Sequence, residues 1–289
     1  MTTSLDQQIR NHPRDWHGNL YVYPVISRRS GGLSIGVNLN PDTACNFDCI
    51  YCQVDRSAAP RVRHVDPEKL HDELAGLLDG IRAGGFFDDP AFADVPAEFR
   101  VIKDIAFSGD GEPTTCKNLR ECVDLVAALK RETCRPETRL VLITDACYLK
   151  RSEVEAALTI LDANGGEIWA KLDAGTEDYY ETVNRPNFPL RHVIENITAA
   201  ASVRPVVIQS LFMRIHGRPA DAAELSAYVE RLLEITAAGG RIDRVQVYTI
   251  ARTPAESYVT PLSNEDVDGI VQLVRDRTNL RADAYYGAA

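Results

Sequence analysis

Six short runs rich in β-branched and aromatic residues, at 33–39, 101–107, 139–144, 167–173, 205–212 and 244–250, alternate along this chain with amphipathic stretches of helical period. Parallel strands need long crossover connections, so strand-length runs separated by helix-length ones read as βαβ units and a parallel sheet. The helical stretches fall at residues 66–83, 118–132, 151–161, 189–202 and 221–238, with another at 263–277. Several carry start signals. Asp66 precedes Pro67, Ser152 and Glu155 have capping-box spacing, and Asp221 and Ser263 are further caps. The alternation predicts an α/β protein, and 289 residues with 45% hydrophobic content suit one large core. Residues 1–32 read as a short N-terminal extension and 33–289 as the domain. The segment 84–99 has no sustained period and reads as an inserted, lid-like loop.

Chemistry concentrates after the first run. Cys45, Cys49 and Cys52 stand at C-x3-C-x2-C spacing within eight residues. Three thiolates on one loop can each hold one iron of a [4Fe-4S] cluster, leaving the fourth iron open to a ligand from outside the chain. The same cysteines with His64 could instead form a Cys3His zinc site. Buried structural thiols are the third reading of the spacing.

The motif, with Tyr51 before its last cysteine, resembles that of the radical S-adenosylmethionine (radical SAM) superfamily. The blocks SRRSGGLSIGVNLNPDTACNFDCIYCQ, FSGDGEPTT, IWAKLDAG, NRPN and VQVYTIARTPAESYVTPLS are similar to the branch of the wyosine tRNA-base synthases and their bacterial relatives, and they run from Ser27 to Ser263. The resemblance implies an incomplete (β/α)6 barrel with the chemistry at the C-terminal ends of its strands. It implies an enzyme whose cluster, on Cys45, Cys49 and Cys52, binds S-adenosylmethionine and cleaves it reductively to a 5′-deoxyadenosyl radical that abstracts hydrogen from an unidentified substrate. The slight positive balance of residues 1–65 suits a small or anionic one. A low-potential donor, flavodoxin or ferredoxin, would supply the electron.

By the same resemblance Gly109, Asp110, Gly111 and Glu112 meet the methionine ammonium, and Gln209, Ser210 and Tyr248 line the ribose and adenine. Asp173, on one strand face with Lys171, can accept ribose hydroxyls, and Tyr51 and Lys171 are further candidate cofactor contacts. Two of these groups have a plainer reading beside them. The SGDGEP segment also reads as a glycine-rich turn, and Lys171 with Asp173, on one face of a strand by alternation, as a buried ion pair. Thr144-Asp145-Ala146 stands where relatives have Thr-Asn-Gly, placing an acid at the strand end. Cys116, Cys122, Cys134 and Cys147 read as small buried hydrophobes. Arg28, Arg29 and Arg252 are candidate anion contacts or plain surface residues, while His17, His64 and His216 read as structural.

Charge bounds the partners. Thirty-two basic against 42 acidic residues give −10, which opposes the phosphate attraction on which nucleic-acid binding rests. Nucleic acid is disfavoured without being excluded. Modification of a tRNA base therefore stands as an alternative, weakened further because no cysteine precedes Cys45, where wyosine synthases carry a second cluster. A non-catalytic metal-binding or electron-carrying protein is the other alternative. The polar N-terminus and the absence of a long apolar run predict no membrane segment. An odd count of seven cysteines and an oxygen-sensitive cluster point to the reducing cytoplasm.

Overall fold

The computed structural model describes residues 16–54, 62 and 64–287; residues 1–15 of the expected extension lie outside these. The chain forms two compact units.

Of the described residues, the first unit comprises 16–44, 62, 64–143 and 151–167. Its strands β1 (Val22–Ser27), β2 (Gly32–Val37), β3 (Ile102–Phe107) and β4 (Arg139–Thr144) are hydrogen-bonded in chain order. From β2 to β4 they run parallel, and β1 pairs antiparallel with β2, Val22 opposite Val37 and Ser27 opposite Gly32. Part of the expected extension is thus a sheet strand. Pro24 is tolerated in β1 because the strand lies at an edge, where a missing N–H breaks no second ladder.

Three helices accompany these strands: α1 (Pro67–Arg82), α2 (Leu119–Thr133) and α3 (Ser152–Ala163). Asp66 caps α1 by accepting the Glu68 and Lys69 N–H groups, and Leu70, Leu74, Leu77 and Leu78 make its buried stripe. The expected Ser152 cap is corrected: Ser152 is already helical, Arg151 holds the cap position, and no side-chain cap bond forms. The segment 84–99 is likewise no lid. It winds into 3-10 turns at Gly85–Asp88 and Ala97–Phe99, buries Phe86, Phe92 and Val95, and is stapled by Arg100 donating to the carbonyls of Val95 and Ala93, each at 2.8 Å.

Of the described residues, the second unit comprises 45–54, 144–150 and 168–287. Strands β5 (Gly166–Lys171), β6 (Val206–Leu211), β8 (Ile242–Tyr248) and β10 (Ala282–Tyr285) run parallel in that order, while β7 (Met213–Ile215) and β9 (Val259–Pro261) form a small antiparallel pair. Its helices are α4 (Glu177–Asn184), α5 (Leu190–Val203), α6 (Ala222–Ala237) and α7 (Asn264–Thr278). Asp221 caps α6, and Ser263 with Asp266 forms a capping box on α7.

The six expected strands and six expected helices all form within about two residues of their sequence bounds. Strands β1, β7, β9 and β10 and the eight-residue α4 go beyond them, being too short or too irregular to establish a period. Strand β6 is buried along its whole length, as a parallel strand covered on both faces should be. It nonetheless carries Gln209 and Ser210, and β8 carries Gln246, all fully buried. Buried polar side chains in a sheet need partners there, and they mark where the apolar packing gives way to a site. Among the described residues no helix is long and apolar enough to cross a membrane.

Candidate functional site

The cysteine loop lies in the second unit, bound to the C-terminal end of α4. The Ile50 N–H donates to the Val183 carbonyl, the Asp48 N–H to Asn184, and the Asn187 N–H to Asn46, each at 3.0 Å. The last carbonyls of a helix have no partner within it, and here two of them take N–H groups on either side of Cys49. Arg185 ends the helix in the left-handed region at φ 44°. Its guanidinium pairs with Glu256 at 2.7 Å and reaches Asp48 at 3.7 Å, and Glu256 in turn donates its N–H to the Ile50 carbonyl at 3.1 Å. Phe47 and Ile50 are buried, Phe47 edge-on to Tyr180 with ring centres 5.6 Å apart.

Among the described residues no disulfide is assigned to Cys45, Cys49 or Cys52, of which Cys49 is buried and the other two half-buried. Burial pushes the Cys49 thiol up to about 12, against the opposing pull of the Lys171 ammonium. A bare thiolate is therefore disfavoured there, and a cation taking the place of the proton would relieve that. Among the described residues no group of three or more His, Cys, Asp or Glu side chains is gathered as the ligand set of one ion. Cubane thiolates each sit on a different iron and need no such convergence, so three cysteines on one anchored loop fit that group.

Beside the loop stands Asp173, two residues beyond β5, with its side chain 1% exposed. One carboxylate oxygen accepts the Leu211 N–H at 2.9 Å; the other accepts the Tyr51 hydroxyl and, at 3.0 Å, the Asn184 amide. Lys171 Nζ lies 3.4 Å from the same oxygen and 4.9 Å from the centre of the Tyr51 ring. Burial opposes charge on Lys171, yet Asp173, Tyr248 and Cys49 together hold its pKa above the ordinary lysine value. Burial, then Asp173, raises Tyr51 well above the usual phenol range. Lys171 donates to the Tyr248 hydroxyl at 3.2 Å, which donates to Gln209 at 3.5 Å, and Gln209 donates to Gln246 at 3.3 Å. The network joins five of the expected residues, Tyr51, Lys171, Asp173, Gln209 and Tyr248. Ser210 stands apart, its hydroxyl 2.6 Å from that of Tyr228.

Asn184 and Gln246 were not singled out by the sequence reading. Asn184 opens the NRPN block, and Gln246 lies two residues before Tyr248, on the same face of β8. The Asn184 Oδ1 and Gln246 Nε2 atoms are buried with no hydrogen-bond partner. In the same unit, Asp145 accepts the Asn46 amide at 2.9 Å and the Cys147 N–H at 2.9 Å, and burial raises its carboxyl above the usual range.

The SGDGEP segment belongs to the first unit. Asn38 donates to the Asp110 carboxylate at 2.7 Å and accepts the Asp110 N–H at 3.1 Å. Glu112 is buried and accepts the Thr114 N–H at 3.0 Å, capping the 3-10 turn Pro113–Thr115. A Cβ on Gly109 would stand 2.3 Å from Asn38 Oδ1, and one on Gly111 only 2.0 Å from the Ala44 carbonyl oxygen. Close backbone approach by itself accounts for both glycines.

Of the remaining candidates, His64 is exposed, His17 is bonded to Asp89 at 3.0 Å, and His216 stacks on Tyr258 at 4.4 Å. Cys122 and Cys147 are buried, Cys116 and Cys134 half-buried.

No protein-family model matches the chain. Over 201 residues, 65% of its length, it is 25% identical to a UPF0026 protein of Synechocystis sp.. Over 164 residues, 57% of its length, it is 26% identical to a GTPase Obg of Brachyspira hyodysenteriae. The chain spans 64% of the first relative and 20% of the second. Among solved structures, that of Streptococcus suis SuiB bound to S-adenosylmethionine superposes with a TM-score of 0.57 at 12% identity, covering 90% of this chain and 52% of SuiB.

The chain has the radical SAM fold. The α/β class expected from the alternating β and α segments is that of the radical SAM fold, and the resemblance drawn from the cysteine motif and the other sequence blocks agrees with it.

Proposed function

We propose that this chain is a radical SAM enzyme in which Cys45, Cys49 and Cys52 hold a [4Fe-4S] cluster. The observation that carries the reading is the C-x3-C-x2-C loop itself, three cysteines on a segment bound to α4 with the middle one buried. When bound, the cluster and S-adenosylmethionine would together supply reductive cleavage of the sulfonium to a 5′-deoxyadenosyl radical, with flavodoxin or ferredoxin as electron donor.

The chain's own residues bind, orient and shield. Phe47 and Ile50 keep water from the buried side of the loop. The Lys171 ammonium offsets negative charge at Cys49, and the Asp173 carboxylate holds Lys171, Tyr51 and the Leu211 N–H in one arrangement. Gln209 and Tyr248 offer polar contacts for a nucleoside, with the unpaired amide nitrogen of Gln246 next to them as a further donor. Gly109, Asp110, Gly111 and Glu112 are assigned to the methionine ammonium on the resemblance alone. The substrate is small or anionic, and the chain acts in the cytoplasm.

The test is anaerobic reconstitution with iron and sulfide, then incubation with dithionite and S-adenosylmethionine while 5′-deoxyadenosine is followed by chromatography. Product that disappears in Cys49→Ala supports the enzyme. A fully loaded wild-type protein that yields none would leave an electron-carrying or metal-binding protein instead.

A further inference from the structure

Asn184 is the last residue of α4, fully buried, and its amide nitrogen faces three acceptors. It lies 3.0 Å from Asp173 Oδ2, 3.4 Å from Cys49 Sγ and 3.4 Å from the Tyr51 hydroxyl oxygen. An amide nitrogen carries two hydrogens, so at most two of these contacts are made well at once. The Asp173 carboxylate is the nearest and the charged one, and takes the first. Tyr51 already spends its own hydrogen on that carboxylate and presents only a neutral oxygen. A cysteine sulfur bound to iron carries negative charge and is the stronger acceptor for the second hydrogen.

The orientation of the amide follows from its surroundings. Turned over, Oδ1 would face the Asp173 oxygen with no hydrogen between them, so the nitrogen must point inward. The Asn184 oxygen is buried and accepts nothing, so the fold uses this side chain as a donor alone. The backbone points the same way. The carbonyls of Val183 and Asn184 take the Ile50 and Asp48 N–H groups, bracketing the sulfur that the side chain addresses. Arg185, in its left-handed conformation, ends the helix where the Asn184 carbonyl becomes available.

We propose that Asn184 is a positioning residue for the cluster, its amide N–H on the Cys49 sulfur stabilising the reduced state and so setting the reduction potential. The inference rests on reading Cys45, Cys49 and Cys52 as cluster ligands. Reduction adds one electron, delivered by the donor protein or by dithionite, and with it one negative charge spread over iron and sulfur. A donor N–H stabilises the more negative state more, and hydrogen bonds to the sulfurs are among the levers that set such potentials.

The experiment is a redox titration of the reconstituted chain, wild type beside Asn184→Ala and Asn184→Ser, with dithionite as reductant. The reduced cluster is read by electron paramagnetic resonance, and iron and sulfide are measured on the same samples. Loss of the donor in Asn184→Ala should lower the ratio of reduced to oxidised cluster about tenfold at a fixed potential, equivalent to about 59 mV for one electron. Asn184→Ser, which keeps a shorter donor, should fall between. Equal potentials in fully loaded wild type and Asn184→Ala overturn the inference and leave the cluster reading standing. A wild-type protein that takes up no cluster overturns both. If Asn184→Ala loads no cluster, iodoacetamide labelling of the unloaded chain decides. Slower modification of Cys49 by severalfold, with Cys116 unchanged, supports the donor role, because a sulfur that has lost its N–H is less readily a thiolate, and an unchanged or faster Cys49 rate overturns it.

Discussion

The Tyr51 hydroxyl donates to the Asp173 carboxylate, with both side chains buried. The bond ties the third cysteine's neighbour to the end of β5, and the same carboxylate gathers the Leu211 N–H, the Asn184 amide and the Lys171 ammonium. Asp173→Ala removes the acceptor common to all four and leaves the half-buried Lys171 ammonium without its carboxylate. Removing one member of a buried ion pair costs about 3 kcal/mol or more. Urea unfolding should show a loss of that size, and a loss under about 1 kcal/mol would mean that the donors find other partners.

Cluster loading separates the three loop cysteines from Cys134 and Cys147. Alanine at Cys45, Cys49 or Cys52 should abolish the visible absorption and most of the iron of reconstituted protein. Alanine at Cys134 or Cys147 should leave both in place. Iron content by colorimetry decides, and loss at Cys134 or Cys147 would point to a ligand set other than the loop.

Asp104 on β3 is buried, bonded by the Ser34 hydroxyl at 2.5 Å, and burial raises its pKa despite that bond and the Arg139 charge. An unfolded aspartate titrates near about 3.9, so the carboxyl ionises more readily unfolded than folded. Its contribution to stability is whole below that value and is lost as pH rises through the folded pKa. Asp104→Asn, uncharged throughout, should gain in melting temperature over wild type between pH 4 and pH 7. A difference that stays constant over that range would sink this account of Asp104.

Gly111 faces backbone. A methyl group there would stand 2.0 Å from the Ala44 carbonyl oxygen, and Glu112 donates its N–H to that same oxygen at 2.9 Å. Gly111→Ala must push the two segments apart, at a cost of about 3 kcal/mol. Chemical denaturation measures it directly. Near-wild-type stability would show that the segment can move aside.

Much of the fold was legible because its long elements obey one period each. Leu70, Leu74, Leu77 and Leu78 repeat as one helical face, and Asp66 with Pro67 announces its start. Strand β10, reading ADAY, has no such repeat; its pairing with β8 supplies what its own four residues lack. Strand β1 escaped for another reason, since Pro24 counts against a strand until it is known to lie at an edge.

The cysteine spacing and the alternation of elements were determined by the sequence itself, because both are local: eight residues contain the motif, and each period is complete within one element. Only the tertiary structure decided that Asn184, 135 positions from Cys49 in the chain, turns its amide on that sulfur. It also decided that Asp173 is saturated by protein donors. An asparagine and an aspartate are ordinary polar residues in one dimension. What they do depends on which donors and acceptors the fold carries to them, and on the burial that makes each unpaired atom costly.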